Sequence, residues 1–241
     1  MGGDPTPKRS AAYVRALASG GASVIELGVP FSDPIADGPT IQAAGLRSRA
    51  GGTTLQSLLR SAKQIHRQID PPLVLMLYVN LIEQRGVQPF FDAVAAVGIA
   101  GVIVPDLPLE ESGPFSEAAQ AAGIDLPLLA APSSGPRRLA AIARSSSGFV
   151  YLVSRYGTTG ARKGLSPQTR ELIGQAREHA ASARLPLAPG FGIATPADVR
   201  AVWAAGAQAA VVGSALVRTV ASGAPPTALR TQVERLMGRR R

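Results

Sequence analysis

Residues 54–79 read Thr-Leu-Gln-Ser-Leu-Leu-Arg-Ser-Ala-Lys-Gln-Ile-His-Arg-Gln-Ile-Asp-Pro-Pro-Leu-Val-Leu-Met-Leu-Tyr-Val, and this stretch decides the fold class. Its first part, residues 55–69, has apolar side chains at helical spacing behind Thr54, a residue type that caps helices. Its second part, residues 73–79, is apolar almost without interruption, which is typical of a strand covered on both faces in a parallel sheet. The stretch therefore predicts a helix followed by a buried parallel strand.

The same alternation continues on both sides of this stretch. Further apolar segments predict strands at residues 23–27, 101–104, 126–130, 149–153, 185–188 and 209–212. Capping residues and N-terminal prolines predict helices at residues 7–19, 112–122, 136–144, 167–181 and 195–206. Because strand and helix alternate without a linker, we expect an α/β protein with a single (β/α) barrel domain over residues 1–241. This architecture is favoured over two small domains and over an open doubly wound sheet.

The number of predicted strands is one short of a closed barrel. A (β/α)8 TIM barrel needs eight strands. The first recognisable element of this sequence is the helix at residues 7–19, and residues 1–6 are too few and too polar for a core strand. We therefore expect a (β/α)8 TIM barrel that lacks its first strand.

The positive charge of the chain is spread along its length. The sequence has 25 basic and 16 acidic residues, which gives a formal net charge of +9. The basic residues are scattered along the predicted helices, and the dense run at residues 239–241 lies at the very end of the sequence. Because there is no basic stripe with interleaved aromatic residues, we do not expect a nucleic-acid partner.

The composition argues against several further classes of site. The sequence has no cysteine, which excludes disulfides, thiolate metal sites and cysteine nucleophiles and is compatible with a reducing cytoplasm. His66 and His179 have no partner at metal-ligand spacing, so no metal is expected. The longest apolar runs, residues 94–104 and 207–217, are too short and too rich in glycine to span a membrane. We therefore expect a cytoplasmic protein without a membrane partner.

The first candidate for chemistry is Glu26, which lies inside an otherwise apolar predicted strand. An ionised carboxylate is costly to desolvate there unless it is paired or used by the site, and no arginine occurs in the other predicted strands. A carboxyl group facing the mouth of a barrel is a candidate general acid or base. Asp33 and Asp37 follow on a proline-rich loop, where ordinary turn chemistry is an equal alternative.

Two glycine-rich turns predict an anion site. Residues 188–193 and 211–216 each place glycine between a predicted strand and a helix, where backbone N–H groups can bind phosphate. The loops after the last two strands are the usual phosphate site of such barrels, whereas helix capping is the alternative explanation of each glycine. The loop at residues 151–164 is long and rich in glycine and threonine, which is typical of either a lid or a simple flexible connection.

Taken together, these motifs resemble a known family. Residues 26–40 read Glu-Leu-Gly-Val-Pro-Phe-Ser-Asp-Pro-Ile-Ala-Asp-Gly-Pro-Thr, a specific block of acids and prolines at fixed spacing. The further blocks are residues 77–81, 105–112, 151–160, 189–193 and 213–214. In order and spacing they closely resemble the alpha subunit of tryptophan synthase, from residue 3 onward. Members of that family have a helix and a first strand before the Gly-Asp-Pro turn, so the resemblance implies a barrel that lacks both.

The resemblance implies a reaction and its catalytic groups. The family cleaves indole-3-glycerol phosphate to indole and glyceraldehyde 3-phosphate by a retro-aldol reaction without cofactor or metal. Glu26 is then the residue that protonates the indole ring at C3 and assists removal of the side-chain hydroxyl proton. Asp37 is the residue that hydrogen-bonds the indole N–H and stabilises the positively charged intermediate.

The resemblance also implies the substrate-binding residues. Tyr78 lines the indole pocket, Tyr151 lies beside the glycerol phosphate, and Thr159 belongs to a lid that reaches Asp37 on closure. The implied phosphate site consists of Gly160, Phe191, Gly192, Gly213 and Ser214.

A protein partner is implied as well. The family docks on a beta subunit in an alpha2beta2 heterotetramer, and indole passes to that subunit through a tunnel. Pro30 and Asp33 match the loop that touches the beta subunit. Pyridoxal phosphate belongs to the beta subunit, so no cofactor is expected in this chain.

Two alternatives stay open. One is another phosphate-binding barrel, such as indole-glycerol-phosphate synthase or a pentose-phosphate epimerase. These enzymes need a catalytic lysine on a strand or metal-binding histidines, and the sequence supplies neither. The other is a non-catalytic barrel subunit that binds and activates the beta subunit, against which the presence of both Glu26 and Asp37 argues.

Overall fold

The computed structural model describes residues 1–153, 167–190 and 192–238. The described strands are β1 (Ile25–Gly28), β2 (Leu73–Met76), β3 (Ile99–Ile103), β4 (Leu129–Ala130), β5 (Val150–Val153) and β6 (Leu187–Gly190). The described helices are α1 (Pro7–Gly20), α2 (Pro39–Ala50), α3 (Leu55–His66), α4 (Val79–Glu83), α5 (Val87–Ala95), α6 (Gly113–Ala121), α7 (Pro136–Ser145), α8 (Pro167–Ser182), α9 (Pro196–Ala204), α10 (Ser214–Ala221) and α11 (Pro226–Leu236). A 3₁₀ turn, Leu109–Glu111, precedes α6.

The strands follow one another in chain order and are parallel. β1 pairs with β2 and β2 with β3, and β4 pairs in the same way with β5 and β5 with β6. The two groups meet at Asp125, whose N–H donates to the Ala100 carbonyl at 2.9 Å and whose carbonyl accepts from the Val102 N–H at 2.8 Å. Sequential parallel strands with helical connections are the topology of a (β/α) barrel.

Helix α3 begins where the sequence predicts. Thr54 Oγ1 accepts a hydrogen bond from the Ser57 N–H at 3.1 Å, and Ser57 Oγ accepts one from the Thr54 N–H at 2.9 Å. This reciprocal capping box satisfies two N–H groups at the start of the helix. Helices α1, α6, α7, α8 and α9 also lie at the predicted positions, whereas α2, α4, α5 and α11 were not predicted. None of the described helices is long and apolar enough to cross a membrane.

The predicted strand at residues 209–212 is wrong for the described structure. The segment hydrogen-bonds to one side of β6, where the Ala209 N–H donates to Leu187 O at 3.2 Å and the Val211 N–H donates to Pro189 O at 2.8 Å. Pro189 has no N–H with which to return a bond, so the ladder between the two segments is incomplete. The segment therefore runs beside β6 as an extended stretch instead of a strand.

The predicted strand at residues 126–130 is also shorter than expected, because β4 covers only its last two residues. Pro127 cannot donate to a ladder, and the N–H groups of Leu126 and Leu128 donate instead to serine hydroxyls. Those hydroxyls belong to Ser147 at 2.8 Å and Ser146 at 3.1 Å. Side-chain acceptors thus replace the backbone pairing that an apolar run predicts.

Alternate residues of the strands face two separate apolar layers. Val74, Ile103 and Tyr151, which come from β2, β3 and β5, are buried against one another inside the barrel. Leu73 and Leu75 lie on the opposite face of β2 and belong to the large core that includes the helices. Because both faces of the strands are covered, the strands read as continuous apolar runs.

Helices from the two ends of the described chain pack together. α1 packs against α11, and α2 packs against α10. The Tyr13 O–H donates to the Ala224 carbonyl at 2.7 Å, and the Arg9 guanidinium donates to the Gly223 carbonyl at 2.9 Å. The early helices are therefore held beside the last ones.

Candidate active site

Glu26 is the second residue of β1, and its side chain projects to the face of the sheet that lines the barrel interior. It pairs in register with Val74 of β2. Paired residues of neighbouring parallel strands project to the same side of the sheet, and Val74 belongs to the interior cluster that contains Tyr151. The charge of Glu26 also contributes to the raised pKa of Tyr151, as expected if the two groups lie in one space.

The surroundings of Glu26 favour its protonated form. Burial raises the pKa of Glu26 from 4.5 to about 7, the N-terminal ammonium of Met1 opposes this shift, and the carboxylate of Asp37 adds to it. A carboxyl group with a pKa near neutrality can donate a proton and take one back at physiological pH. This environment meets the electrostatic requirement of a general acid–base group.

Asp37 reaches the same space from the loop that joins β1 to α2. Its N–H donates to the Pro34 carbonyl at 3.0 Å, and its carbonyl accepts from Gln42 Nε2 at 2.9 Å. Burial raises the pKa of the Asp37 carboxyl, whereas a hydrogen bond from the Tyr78 side chain lowers it. The two acids therefore have different environments, with Glu26 on an apolar strand and Asp37 on a hydrogen-bonded loop.

Two buried tyrosines complete this group. Tyr78 follows the end of β2, and Tyr151 lies in β5. Burial raises the pKa of Tyr151, and the charges of Glu26 and Asp37 raise it further. The structure therefore brings together four of the residues named from the sequence, although two come from strands, one from the segment after β2 and one from a loop.

Gly190 is a residue whose role the sequence does not reveal. A Cβ atom at this position would lie 3.0 Å from both Cε1 and Oη of Tyr151. The absence of a side chain therefore leaves room for the Tyr151 ring to lie over the end of β6. The signal in the sequence is a glycine at a strand end, a pattern that predicts an anion site but not a contact with Tyr151.

The two predicted glycine turns lie at one edge of the sheet. Gly213 is the N-cap of α10, and a Cβ atom on it would meet no atom of the described residues within 4 Å. Gly192 has a φ of +67°, a left-handed conformation that favours glycine, and among residues 1–153, 167–190 and 192–238 no atom lies within 4 Å of a Cβ placed on it. Because the Val211 N–H donates to the Pro189 carbonyl at 2.8 Å, the segments leading to the two turns run side by side. The first turn of α10 directs N–H groups of Ser214 and its neighbours towards this edge.

Other predicted residues lie elsewhere. Pro30 is buried, whereas Asp33 is exposed and accepts a hydrogen bond from Ser32 Oγ at 2.5 Å. Ile35, on the same loop, is 78% exposed, which is unusual for a large aliphatic side chain. Three predicted site residues, Thr159, Gly160 and Phe191, lie outside the described residues.

Comparison with known proteins identifies the family. The family model of the tryptophan synthase alpha chain matches residues 1–238. This chain belongs to the tryptophan synthase alpha chain family. It is 47% identical over 227 residues to the tryptophan synthase alpha chain of Trichormus variabilis, which covers 94% of this chain and 84% of that protein. It is 44% identical over 223 residues to the alpha chain of Methanosarcina mazei, with 92% of this chain and 80% of that protein covered.

Solved structures agree with this assignment. A chain from the tryptophan synthase a2b2 complex of Pyrococcus furiosus matches with a TM-score of 0.91 and 39% identity, over 98% of this chain and 94% of that chain. The expectation of a (β/α)8 barrel from the alternating pattern is therefore confirmed.

Proposed function

We propose that this chain cleaves indole-3-glycerol phosphate to indole and glyceraldehyde 3-phosphate, as a carbon–carbon lyase of tryptophan biosynthesis. The observation that carries the proposal is the pair formed by Glu26 and Asp37, two carboxyl groups that are near enough to interact electrostatically and lie in different environments. A retro-aldol cleavage needs one group that transfers a proton and a second group that stabilises developing charge. The family assignment supports the same reaction.

The chemistry assigned to each acid follows from its environment. Glu26, protonated near neutral pH, gives its proton to C3 of the indole ring, and the resulting positive charge is delocalised onto the ring nitrogen. Asp37 accepts a hydrogen bond from the ring N–H and stabilises this cation. The Glu26 carboxylate then takes the proton of the adjacent side-chain hydroxyl. The C–C bond breaks, its electron pair neutralises the ring, and the hydroxyl carbon leaves as an aldehyde.

The phosphate of the substrate is assigned to the two glycine turns. We assign the phosphate to Gly192, Gly213 and Ser214, because backbone N–H groups and the helix dipole at the start of α10 favour a dianion, and no atom of the described residues lies within 4 Å of a Cβ on either glycine. The glycerol part of the substrate is assigned to Tyr151, which pairs in register with Ala188 of β6 and interacts electrostatically with Glu26. Gly160 and Phe191 are proposed to complete the phosphate site, and Thr159 to close the lid over it.

The proposed partner is a tryptophan synthase beta subunit in an alpha2beta2 heterotetramer. The structural relative from Pyrococcus furiosus comes from an a2b2 complex. On this chain, the loop that carries Pro30 and Asp33 also exposes the apolar side chain of Ile35, as a partner-facing loop would. The alpha reaction proposed here uses no cofactor of its own, and pyridoxal phosphate is assigned to the beta subunit. The proposed location of the complex is the cytoplasm.

A direct assay tests the function. The purified chain is mixed with a beta subunit and indole-3-glycerol phosphate, and the release of indole and of glyceraldehyde 3-phosphate is measured. We expect both products in equal amounts. If the chain stimulates the beta subunit but releases neither product, it is a non-catalytic activating subunit instead.

We also expect kcat/KM for indole release to follow a bell-shaped pH dependence. The basic limb should lie near the Glu26 pKa of about 7, because above it Glu26 has no proton to give. The acidic limb should lie above the ordinary pKa of aspartate, because burial raises the pKa of Asp37 and its carboxylate must be ionised. Steady-state rates measured from about pH 4.5 to about pH 9 locate both limbs. A profile that stays flat through neutral pH contradicts the role of Glu26.

A further inference from the structure

The side chain of Gln42, in the first turn of α2, closes the turn that carries Asp37. Its Nε2 donates hydrogen bonds to the Asp37 carbonyl at 2.9 Å and to the Pro34 carbonyl at 3.5 Å. The Asp37 N–H donates to the same Pro34 carbonyl at 3.0 Å. One side-chain amide therefore contacts both ends of the turn at residues 34–37.

These bonds fix both peptide groups that flank the Asp37 Cα. The N–H on one side is bound to Pro34, and the carbonyl on the other side is bound to Gln42. Because each peptide group is planar, fixing both of them sets the direction in which the Asp37 side chain leaves the backbone. Charge stabilisation in a reaction depends on groups that are already in place.

Helix α2 gives Gln42 a fixed support. The Arg47 guanidinium donates two hydrogen bonds to the carboxylate of Asp4, at 2.9 and 2.8 Å, and Asp4 is only 2% exposed. The Ser48 hydroxyl donates to the Gly2 carbonyl at 2.6 Å. α2 also packs against α10, at whose start the phosphate of the substrate is assigned. The amide of Gln42 thus joins the Asp37 turn to a helix with contacts of its own.

The other contacts of the loop lie at different residues. The Ala36 N–H donates to the Tyr78 hydroxyl at 3.0 Å, and the ring of Phe31 stacks on that of Tyr78 with 5.0 Å between centroids. These contacts hold the loop against the end of β2. Among the residues that the structure describes, Gln42 is the one residue outside the loop that hydrogen-bonds to the backbone of Asp37.

We propose that Gln42 is a positioning residue for the alpha reaction, whose side-chain amide holds the backbone of Asp37 so that its carboxylate meets the positive charge of the substrate. The inference rests on the proposed function and extends it to a residue outside the reacting groups. Gln42 acts through Asp37 and transfers no proton itself. Its contribution should therefore depend on its ability to donate a hydrogen bond and not on its charge.

Three substitutions separate hydrogen-bond donation from charge. Gln42→Met is neutral and cannot donate, Gln42→Glu is ionised at about pH 8 and cannot donate, and Gln42→Lys is charged and can donate. All three residues are good helix formers, so α2 should stay folded. We expect kcat of the alpha reaction to fall about threefold to tenfold in the methionine and glutamate variants, and to stay within about twofold of the parent in the lysine variant. KM should change by less than about twofold in each.

The matched control is Gln175→Met on α8. Gln175 is exposed like Gln42, and its Nε2 donates to Glu171 Oε1 at 3.3 Å. The same substitution there removes a hydrogen bond of the same kind and should change neither kcat nor KM. Parental kcat in Gln42→Met overturns the positioning role. Equal losses in all three variants at position 42, or losses that follow the sign of the charge, overturn it as well.

A binding measurement distinguishes the position of Asp37 from a general loss of structure. Asp37 is proposed to accept a hydrogen bond from the ring N–H, so the parent should bind indole more tightly than benzothiophene, a ring system of similar size without an N–H. Gln42→Met should reduce this preference by about threefold, while the affinity for a glycerol-phosphate analogue stays within about twofold. An unchanged preference overturns the positioning role and leaves the proposed function intact. If the parent shows no preference and Asp37→Asn keeps parental activity, the assignment of Asp37 in the proposed function fails, and the role of Gln42 fails with it.

Discussion

Glu26→Gln is expected to lower kcat for indole release by at least about 1,000-fold, because general acid–base groups contribute typically 10²–10⁴-fold and this one serves two proton transfers. The amide has the size of the carboxyl group but cannot give a proton to carbon or take one from a hydroxyl group. Binding of the substrate should change little, so the loss should appear in kcat and not in KM. Turnover of indole-3-glycerol phosphate with saturating beta subunit measures both constants.

The same variant should not lose stability, which separates a catalytic effect from misfolding. The folded pKa of Glu26 is raised to about 7, whereas the unfolded chain releases this proton near 4.5. Keeping the ionised form folded therefore costs free energy that grows as pH rises between those two values. The neutral amide avoids this cost, so the melting temperature at about pH 8 should equal or exceed that of the parent.

Glu178→Gln is the matched control, since it makes the same change on the exposed surface of α8. It should leave both kcat and KM unchanged. If Glu26→Gln keeps activity within a few-fold of this control, Glu26 is not the acid–base residue.

The layered fold could be predicted because strands that are buried on both faces appear in the sequence as continuous apolar runs. Residues 73–79 and 149–153 are apolar on both faces, and β2 and β5 lie within them. The ends of the strands were less visible, since an apolar run does not show where hydrogen bonding stops. Val79 continues the apolar run at β2 but begins α4, and its N–H donates to a carboxylate instead of a strand.

The missed helices have different physical causes. α2 buries Ala44, Gly45 and Ser48, which are small residues, so its inner face carries no apolar periodicity. α11 buries Leu229 and Val233 behind an N-terminal proline, a pattern typical of a helix start that the sequence does show. Weak amphipathicity therefore explains why α2 could not be predicted, but it does not explain the same result for α11.

The chemistry of the site could be predicted in part. Glu26 could be predicted as a site residue because an ionised carboxylate in an apolar strand is costly to desolvate unless the site uses it. Its raised pKa shows how strongly burial acts on it. The contact between Tyr78 and the loop could not be predicted in the same way. Ala36 and Tyr78 are 42 positions apart and meet only because β1 and β2 are neighbours. Pairings of this kind depend on the register of the strands, which no local pattern encodes.

Gly213→Asp is expected to weaken binding of glycerol-phosphate analogues by at least about 100-fold, because a carboxylate a few Å from a phosphate dianion repels it by several kcal/mol at an effective dielectric constant of about 20. In the part of the chain that the structure describes, a Cβ atom on Gly213 would meet nothing within 4 Å. The φ of −106° is also one that L residues adopt. The ψ of −81° differs from the extended backbone in which an N-cap side chain accepts a hydrogen bond from the helix, so we expect the fold to tolerate aspartate without a gain in stability.

Gly213→Asn separates charge from size in this test, because asparagine has almost the shape of aspartate but no charge. If the phosphate binds at the start of α10, the asparagine variant should lose less than about tenfold in affinity, and the aspartate variant should lose far more. The additional loss of affinity in the aspartate variant should become smaller at high salt. This decrease should be larger if the two charges are more exposed to solvent. Equal and small losses in both variants, measured by calorimetry with a glycerol-phosphate analogue, would mean that the phosphate binds elsewhere in the barrel mouth. Equal and large losses would mean that the side chain blocks the site by its size, so that the backbone N–H groups of α10 contact the phosphate too closely for any Cβ substituent.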